Sequence, residues 1–257
     1  MRLQDRIAVV TGAGSGIGRA TCEAFAREGA TLAALDVRED AAKETLSRLA
    51  GTRHQAFAAD VSDGPAVVRA FQAIDAAFGR VDVLVNSAGI DRANGDGFDL
   101  LMKTGQQLVH MSDEGFQRVM AVNVNGTFLC TREAVKLMER DKRPGSVVNL
   151  SSIAGISANG GPHYAASKSA VLGFTRACAR ELGPHGIRVN AICPGVIDTP
   201  MTAEVPEFAL KGLVAATPLR RRGTPADIAA AALYLASEES SFVTGQWLSP
   251  NGGLVMC

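Results

Sequence analysis

The chain has 257 residues, of which 47% are hydrophobic, and its 26 basic and 26 acidic side chains give a formal net charge of zero. A chain of this length and apolar content can bury a large core. The balanced charge lacks the positive field that attracts polyanions. Composition therefore argues against a nucleic-acid-binding protein and against a protein of the membrane surface.

No run approaches the roughly 20 apolar residues of a membrane span. The first apolar run, Ile7–Val10, follows Asp5 and Arg6 and is too short and too charged for a secretion signal. Five cysteines lack paired or metal-like spacing, which favours buried thiols in a reducing compartment and no metal site. They are Cys22, Cys130, Cys178, Cys193 and Cys257. We expect a cytoplasmic protein.

Short apolar runs alternate with longer segments of helical period along the whole chain. The predicted strands are Ile7–Val10, Leu32–Leu35, Gln55–Ala59, Val81–Val85, Ser146–Leu150, Arg188–Ile192 and Gln246–Leu248. The predicted helices are Gly16–Glu28, Ala41–Leu49, Pro65–Phe78, Asp113–Glu139, Tyr164–Leu182 and Pro225–Ser237. Apolar strands separated by helices are typical of a parallel sheet covered on both faces. We predict an α/β fold in which residues 1–257 form a single domain, a doubly wound Rossmann-type sheet.

Residues 91–112 interrupt this alternation. Asn94-Gly95-Asp96-Gly97 predicts a turn, and the stretches 98–102 and 108–111 could form short amphipathic pieces. Loops of this length are more often functional or mobile than idle. One hypothesis is that the apolar residues of this loop line a substrate pocket or contact a neighbouring subunit, and packing on the chain's own core is equally open. These residues are Phe98, Leu101, Met102 and Met111.

The helices predicted at Asp113–Glu139 and Tyr164–Leu182 are apolar around most of their circumference. Such a helix is buried on more than one side, by the sheet and by something else. The simplest cover is a second copy of the chain, so we expect a homo-oligomer.

A glycine-rich turn, Thr11-Gly12-Ala13-Gly14-Ser15-Gly16-Ile17-Gly18, lies between the first strand and the first helix. Backbone N–H groups in such a turn can approach a pyrophosphate, whose charge is also stabilised at a helix N-terminus. Asp36 ends the next strand, where a carboxylate accepts hydrogen bonds from the adenosine ribose. A carboxylate there repels a 2′-phosphate, so NAD is favoured, while nearby Arg38 keeps NADP open.

Tyr164 and Lys168 are spaced to lie one turn apart on the same helix face. The strand before them ends at Ser151-Ser152, at the sheet edge where doubly wound proteins bind ligands. An ammonium and a nicotinamide charge in a partly desolvated cleft could lower the pKa of the tyrosine from its ordinary value near 10. Tyr164 could then exchange a proton with a substrate oxygen while a hydride moves.

In combination, the motifs resemble those of the classical short-chain dehydrogenases/reductases over essentially the whole chain. They are the glycine turn, Asp60-Val61, Asn86-Ser87-Ala88-Gly89, Asn123, Ser152, Tyr164-Ala165-Ala166-Ser167-Lys168 and Pro194-Gly195. The resemblance implies that Ser152 binds the substrate oxygen. It also implies that Lys168 holds the nicotinamide ribose and that Asn123 places a water behind Lys168. The implied catalytic set is Asn123, Ser152, Tyr164 and Lys168.

The same resemblance implies a set of cofactor-contacting residues. Asp60-Val61 corresponds to an adenine-contacting turn, and Pro194 to Thr199 to a segment over the nicotinamide. The full set is Gly12, Ser15, Gly16, Ile17, Gly18, Asp36, Asp60, Val61, Asn86, Ala88, Tyr164, Lys168, Pro194, Gly195, Ile197 and Thr199.

Three further features of the sequence each allow two interpretations. We expect His163 and His110 to be polar surface residues rather than catalytic ones. The run 220–222, three arginines, predicts a solvated or salt-bridging corner, and the alternative is a grip on a phosphate-bearing thioester. Family resemblance also implies a dimer or tetramer, and we favour the tetramer.

The sequence thus predicts an NAD-dependent oxidoreductase acting on a secondary alcohol or ketone. Candidate substrates are 3-oxoacyl thioesters, cyclic alcohols and polyols. We expect the substrate-facing residues to come from residues 153–163, from the stretch after Pro200 and from the loop of residues 91–112. The alternatives are an NADP-linked 3-oxoacyl thioester reductase and a nucleotide-sensing module without turnover. The complete catalytic set argues against the sensor, which has no use for all four residues.

Overall fold

The structure, a computed structural model, describes residues 1–51, 53–157, 160–203 and 205–256. The strands are β1 (Ile7–Thr11), β2 (Thr31–Asp36), β3 (Gln55–Ala58), β4 (Val83–Asn86), β5 (Gly145–Leu150), β6 (Ile187–Ile192) and β7 (Trp247–Leu248). The helices are α1 (Gly16–Arg27), α2 (Glu39–Leu46), α3 (Gly64–Phe78), α4 (Phe98–Thr104), α5 (Asp113–Met120), α6 (Gly126–Arg140), α7 (Pro162–Leu182), α8 (Pro200–Ala203), α9 (Glu207–Ala216) and α10 (Pro225–Ala236).

The strands form one sheet in the order β3-β2-β1-β4-β5-β6-β7, and every pair is parallel. Strand order reverses between β1 and β4, which places the ligand crevice at their carboxyl ends. The Thr11 hydroxyl accepts hydrogen bonds from the Ser87 and Ala88 N–H groups, each at 3.0 Å, and so ties the two strand ends together. The predicted doubly wound sheet is confirmed.

Side chains of the central strands alternate between two buried layers. In β1, Ala8 and Val10 pack on the side that holds residues of α1 and α10, and Val9 packs on the side of α3 and α6. All five residues of β1 are buried, as are all of β4 and β5. This double burial is why the strands are apolar throughout rather than alternately polar.

The structure differs from the sequence-based elements in two places and agrees with them in a third. The helix predicted at Asp113–Glu139 is α5 and α6 joined through a π-helical turn, Ala121–Asn125. Helices α8 and α9 were not predicted, and neither has a residue buried in the core. The two amphipathic pieces expected in the long loop are α4 and a 3-10 turn, Leu108–His110.

Nowhere in the described ranges does a helix reach the length and apolarity that crossing a membrane requires. Cys22, Cys130 and Cys193 are buried and Cys178 is half-buried, while Cys257 lies outside the described residues.

Candidate active site

A cleft of about 570 Å³ runs along the carboxyl ends of the strands, across the point where strand order reverses. Its walls come from the segments that follow β1, β2, β3, β4, β5 and β6. Most of the predicted site residues therefore meet in one place. Those lining the cleft are Gly12, Ser15, Gly16, Ile17, Gly18, Asp36, Asp60, Val61, Ala88, Ser152, Tyr164, Lys168, Pro194, Gly195, Ile197 and Thr199.

The glycine turn is packed too closely to accept side chains. Gly12 has φ +64°, and a Cβ there would lie 2.9 Å from the Ala88 backbone. A Cβ on Gly18 would collide with the Gly12 carbonyl oxygen, and one on Gly16 would lie 3.3 Å from the Thr199 side chain. The turn leaves backbone N–H groups open at the start of α1, which is the geometry that a pyrophosphate needs.

Asp36 is fixed at the rim of this turn. Its carboxylate accepts hydrogen bonds from the Gly14 N–H at 2.8 Å and from the Arg38 N–H at 3.0 Å. A carboxylate oxygen can accept more than one hydrogen bond, so acceptor capacity remains for ribose hydroxyls. Together with the glycine turn, Asp36 fits the adenosine half of a nicotinamide dinucleotide.

Asp60 closes the other side of the adenine end. It accepts hydrogen bonds from the Ser62 N–H at 2.9 Å and from Arg118 at 3.1 Å. Burial acts to raise the pKa of Asp60, but the hydrogen bonds from Ser62 and Arg118 outweigh it and hold the pKa below its usual range. The group is ionised and its orientation is fixed.

Tyr164 and Lys168 both face the cleft from the first turns of α7. The Lys168 Nζ lies 5.7 Å from the centre of the Tyr164 ring and donates a hydrogen bond to the Leu150 carbonyl at 2.8 Å. A hydrogen bond links the side chains of Ser152 and Tyr164. The neighbouring Ser151 is buried and donates to the Lys168 carbonyl instead, at 2.8 Å. Ser152 is thus the serine that shares the cleft with Tyr164.

The electrostatics of the protein alone differ from the expected lowering of the tyrosine pKa. Burial raises the pKa of Tyr164 to about 12; the Ser152 hydrogen bond lowers it and Asp91 raises it further. Burial also lowers the pKa of Lys168 to about 8. At neutral pH Tyr164 is therefore a protonated phenol, and Lys168 keeps most of its positive charge.

Asn123 lies behind this pair, within the π-helical turn. Its side-chain amide donates to the Ile90 carbonyl at 2.8 Å and to Ser167 at 2.9 Å, and accepts from the Ile90 N–H at 2.9 Å. A Cβ on Gly89 would lie 3.2 Å from both the Asn123 Oδ1 and the Lys168 Nζ. The absent side chain of Gly89 is what brings these two groups together, and π-helical turns often occur at functional sites.

Asn86 departs from its predicted cofactor contact. Its side chain is buried and donates to Thr131 at 2.9 Å and to Asn149 at 2.8 Å. The residue points into the protein because strand alternation turns it away from the cleft, and only its neighbours Ser87 to Gly89 reach the cleft wall. Asn86 therefore ties the sheet to its helices.

The expectation of a surface His163 is wrong, whereas His110 is exposed as expected. His163 is fully buried, and its Nε2 lies 3.7 Å from an Asp96 carboxylate oxygen. The sequence held no signal for this burial, because the residues that cover His163 lie about 60 positions earlier in the chain.

In the arginine run, Arg221 pairs with Asp227 at 2.8 Å and Arg222 with Asp198 at 3.0 Å, which makes a salt-bridging corner.

The stretch after Pro200 and the long loop both reach the cleft wall, as expected for substrate-facing segments. Val205, Leu210 and Leu213 line it from the α9 region. From the long loop, Phe98 lines it, as one hypothesis proposed, together with Arg92 and Gln107. Of the other apolar loop residues, the Met102 side chain lies outside the described part of the structure.

The buried histidine predicts a pH dependence of stability. Burial lowers the pKa of His163 below 6.5, against the raising effect of Asp96; Arg92 lowers it further and Asp91 raises it. The unfolded chain therefore binds a proton that the folded chain does not, and the free energy of unfolding falls as the pH drops below about 6.5. Thermal melts between pH 7.5 and 5.5 should show a smaller drop in His163→Asn than in wild type. The exposed variant His110→Asn should follow wild type, and equal drops in all three would contradict the assignment.

Comparison with known proteins places the whole chain. A family model described as enoyl-(acyl carrier protein) reductase matches residues 12–255. A mouse (3R)-3-hydroxyacyl-CoA dehydrogenase is 44% identical across this entire chain and 98% of that protein. The Thermotoga maritima 3-oxoacyl-[acyl-carrier-protein] reductase FabG is 41% identical over the full length of both. The crystal structure of a short-chain type dehydrogenase/reductase from Mycobacterium marinum superposes with a TM-score of 0.89 and 32% identity, covering 99% of this chain and 97% of that one. With this agreement in sequence and fold, the chain belongs to the short-chain dehydrogenase/reductase family of nicotinamide-dependent oxidoreductases.

Proposed function

We propose that the protein is an NAD-dependent oxidoreductase that interconverts 3-oxoacyl and (3R)-3-hydroxyacyl thioesters. The observation that carries this proposal is an apolar part of the wall of the cleft that holds Ser152 and Tyr164. It is made by Ile90, Ile153, Met201, Val205, Leu210 and Leu213. An acyl chain is compatible with such a wall, whereas a polyol would leave hydroxyl groups unpaired against it. The mouse relative is named for (3R)-3-hydroxyacyl-CoA and the Thermotoga relative for a 3-oxoacyl group, which supports the same class.

When bound, the nicotinamide cofactor donates or accepts the hydride. For reduction, the Ser152 hydroxyl holds the substrate ketone oxygen, and the Tyr164 phenol gives that oxygen its proton. The Tyr164 phenol carries the proton to be donated at neutral pH. Lys168 stabilises the resulting phenolate and holds the ribose, and Asn123 fixes the backbone at Ile90 beside it.

In alcohol oxidation Tyr164 has to accept a proton from the substrate, so its phenol must first lose its own proton. The positive charge of Lys168 lowers the cost of that loss. Alcohol oxidation should therefore gain as the pH rises toward about 8, where Lys168 begins to lose its charge, and ketone reduction should not.

The NAD preference rests on Asp36. Its carboxylate is held by two backbone N–H groups and cannot turn away from a 2′-phosphate without breaking both hydrogen bonds. NADP would then place two negative groups in contact.

We also propose that residues 1–257 act as one catalytic domain and assemble into a homo-oligomer, with a tetramer favoured over a dimer. Phe116 and Phe128 are 38% and 43% exposed on the outer face of α5 and α6. Phe128 packs edge-on against Phe174 of α7, with ring centres 6.3 Å apart. Trp247, at the outer edge of the sheet, is 39% exposed. Two separate apolar areas support two kinds of subunit contact.

We also propose a cytoplasmic location, which the scattered cysteines support.

A direct test compares initial rates of NAD reduction with the (3R) and (3S) forms of 3-hydroxybutyryl thioester and with cyclic alcohols and polyols. We expect the (3R) thioester to give the largest kcat/KM with NAD. If cyclic alcohols or polyols gave a kcat/KM equal to or above that of the thioester, the substrate class would be wrong.

A further inference from the structure

The long loop after β4, residues 91–112, is here called the insertion, and Asp96 is the centre of its structure. Its carboxylate accepts hydrogen bonds from the Arg92 side chain at 2.7 Å, the Phe98 N–H at 2.9 Å and the Ala93 N–H at 3.2 Å. Its carbonyl accepts from the Gln107 amide at 2.9 Å. Asp96 is only 3% exposed. The carboxylate thus fixes the first part of the insertion, and the backbone carbonyl of the same residue binds the second part through Gln107.

The insertion is packed onto the start of α7. His163 precedes Tyr164, and its Nε2 lies 3.7 Å from the Asp96 carboxylate. A Cβ on Gly161 would come within 2.8 Å of the Gln107 side chain, so the insertion and the start of α7 are in tight contact. Neither ring nitrogen of His163 has a hydrogen-bond partner among the described residues, so this is a close-packed polar contact rather than a hydrogen bond.

The same insertion faces the cleft with an aromatic ring. The Arg92 guanidinium carbon lies 3.5 Å from the centre of the Phe98 ring, and both residues line the cleft that holds Tyr164. Because Arg92 is paired with Asp96, its charge is compensated and its plane serves to hold the ring in place. The Phe98 ring, stacked on Arg92, therefore forms the cleft wall on this side.

We propose that the insertion is a wall of the acyl pocket, that Phe98 determines which acyl groups fit, and that Asp96 with His163 positions this wall against the catalytic helix. The proposal rests on the acyl thioester function given above and adds the residues that set its specificity. Asp96 and His163 are positioning residues, since they act through Phe98 and the start of α7.

The first test measures acyl-chain preference in Phe98→Ala. Removing the ring enlarges the pocket, so kcat/KM for an octanoyl-length 3-oxoacyl thioester relative to acetoacetyl thioester should rise about tenfold. The control is Leu108→Ala, a change of similar kind in the same insertion at a residue that is 67% exposed. A Phe98→Ala preference equal to that of wild type would overturn the assignment of Phe98.

The second test compares Asp96→Asn with Asp99→Asn. The Asp99 carboxylate carries the same charge and also pairs with Arg92, at 3.6 Å, but its side chain is 98% exposed and accepts none of the backbone hydrogen bonds that the Asp96 carboxylate accepts. In Asp96→Asn we expect KM for the thioester to rise about tenfold with a smaller change in kcat, since the wall moves and the catalytic groups stay. Amide hydrogen exchange at Phe98 should speed up in the same variant only, because its N–H loses an ionised acceptor. If Asp96→Asn matched Asp99→Asn in both KM and amide hydrogen exchange at Phe98, the proposed positioning role of Asp96 would be wrong.

These measurements separate this proposal from the proposed function. If wild-type protein showed no turnover of acyl thioesters, the proposed substrate class would be wrong. The comparison of amide hydrogen exchange at Phe98 would still decide whether Asp96 anchors the insertion.

Discussion

Tyr164→Phe should lower kcat for ketone reduction by about 10²- to 10⁴-fold and leave the dissociation constant for NADH almost unchanged. The change removes only the phenolic hydroxyl, which is the proposed proton donor and is hydrogen-bonded to Ser152. The ring stays, so the packing of α7 and the cofactor face of the cleft are preserved. Steady-state rates with acetoacetyl thioester and a fluorescence titration with NADH measure the two quantities.

The chain provides a matched control, because it contains two tyrosines. Tyr234 lies on α10, packed against the core and outside the cleft. Tyr234→Phe should keep wild-type turnover. Full activity in Tyr164→Phe would mean that another group moves the proton. Wild-type protein that bound NADH but turned over no alcohol or ketone would favour the nucleotide-sensing module.

Asp36→Ala should shift the preference for NAD over NADP by about 10²- to 10³-fold toward NADP. Loss of charge-assisted hydrogen bonds to the ribose should cost NADH about 1.5 to 3 kcal/mol. Removal of the repulsion should strengthen NADPH binding by a further 1 kcal/mol or so. The ratio of kcat/KM values for the two cofactors measures the change.

A second substitution isolates the charge from the structure of the glycine turn. Asp36→Asn keeps an oxygen that can accept from the Gly14 N–H, so NADPH should gain while the turn stays in place. Asp40→Asn removes an acid four residues further on and outside the main cleft, and it should leave the ratio unchanged. An unchanged ratio in both Asp36 variants would contradict the NAD assignment.

The sheet could be predicted from sequence because its strands are buried on both faces and its helices have a periodicity that local residues determine. The glycine turn and the Tyr164–Lys168 spacing could be predicted for the same reason, since both are short-range. His163 and Asn86 could not, because their surroundings come from Asp96, Thr131 and Asn149, which are distant in sequence. Helix α9 was not predicted because its short sequence is apolar at most positions and so shows no clear division into polar and apolar faces.

Because of the π-helical turn at Ala121–Asn125, the number of residues between α5 and α6 decides how the two helices are rotated relative to each other. One extra residue in a turn rotates everything beyond it by about 100° about the helix axis. That phase change lets Gly115 of α5 lie against Gly95 of the insertion while Cys130 and Ala134 of α6 pack into the core on the side of α3. A one-residue deletion there would force a choice between these two contacts. Natural length variation in such proteins should therefore accumulate in the insertion and avoid this helix.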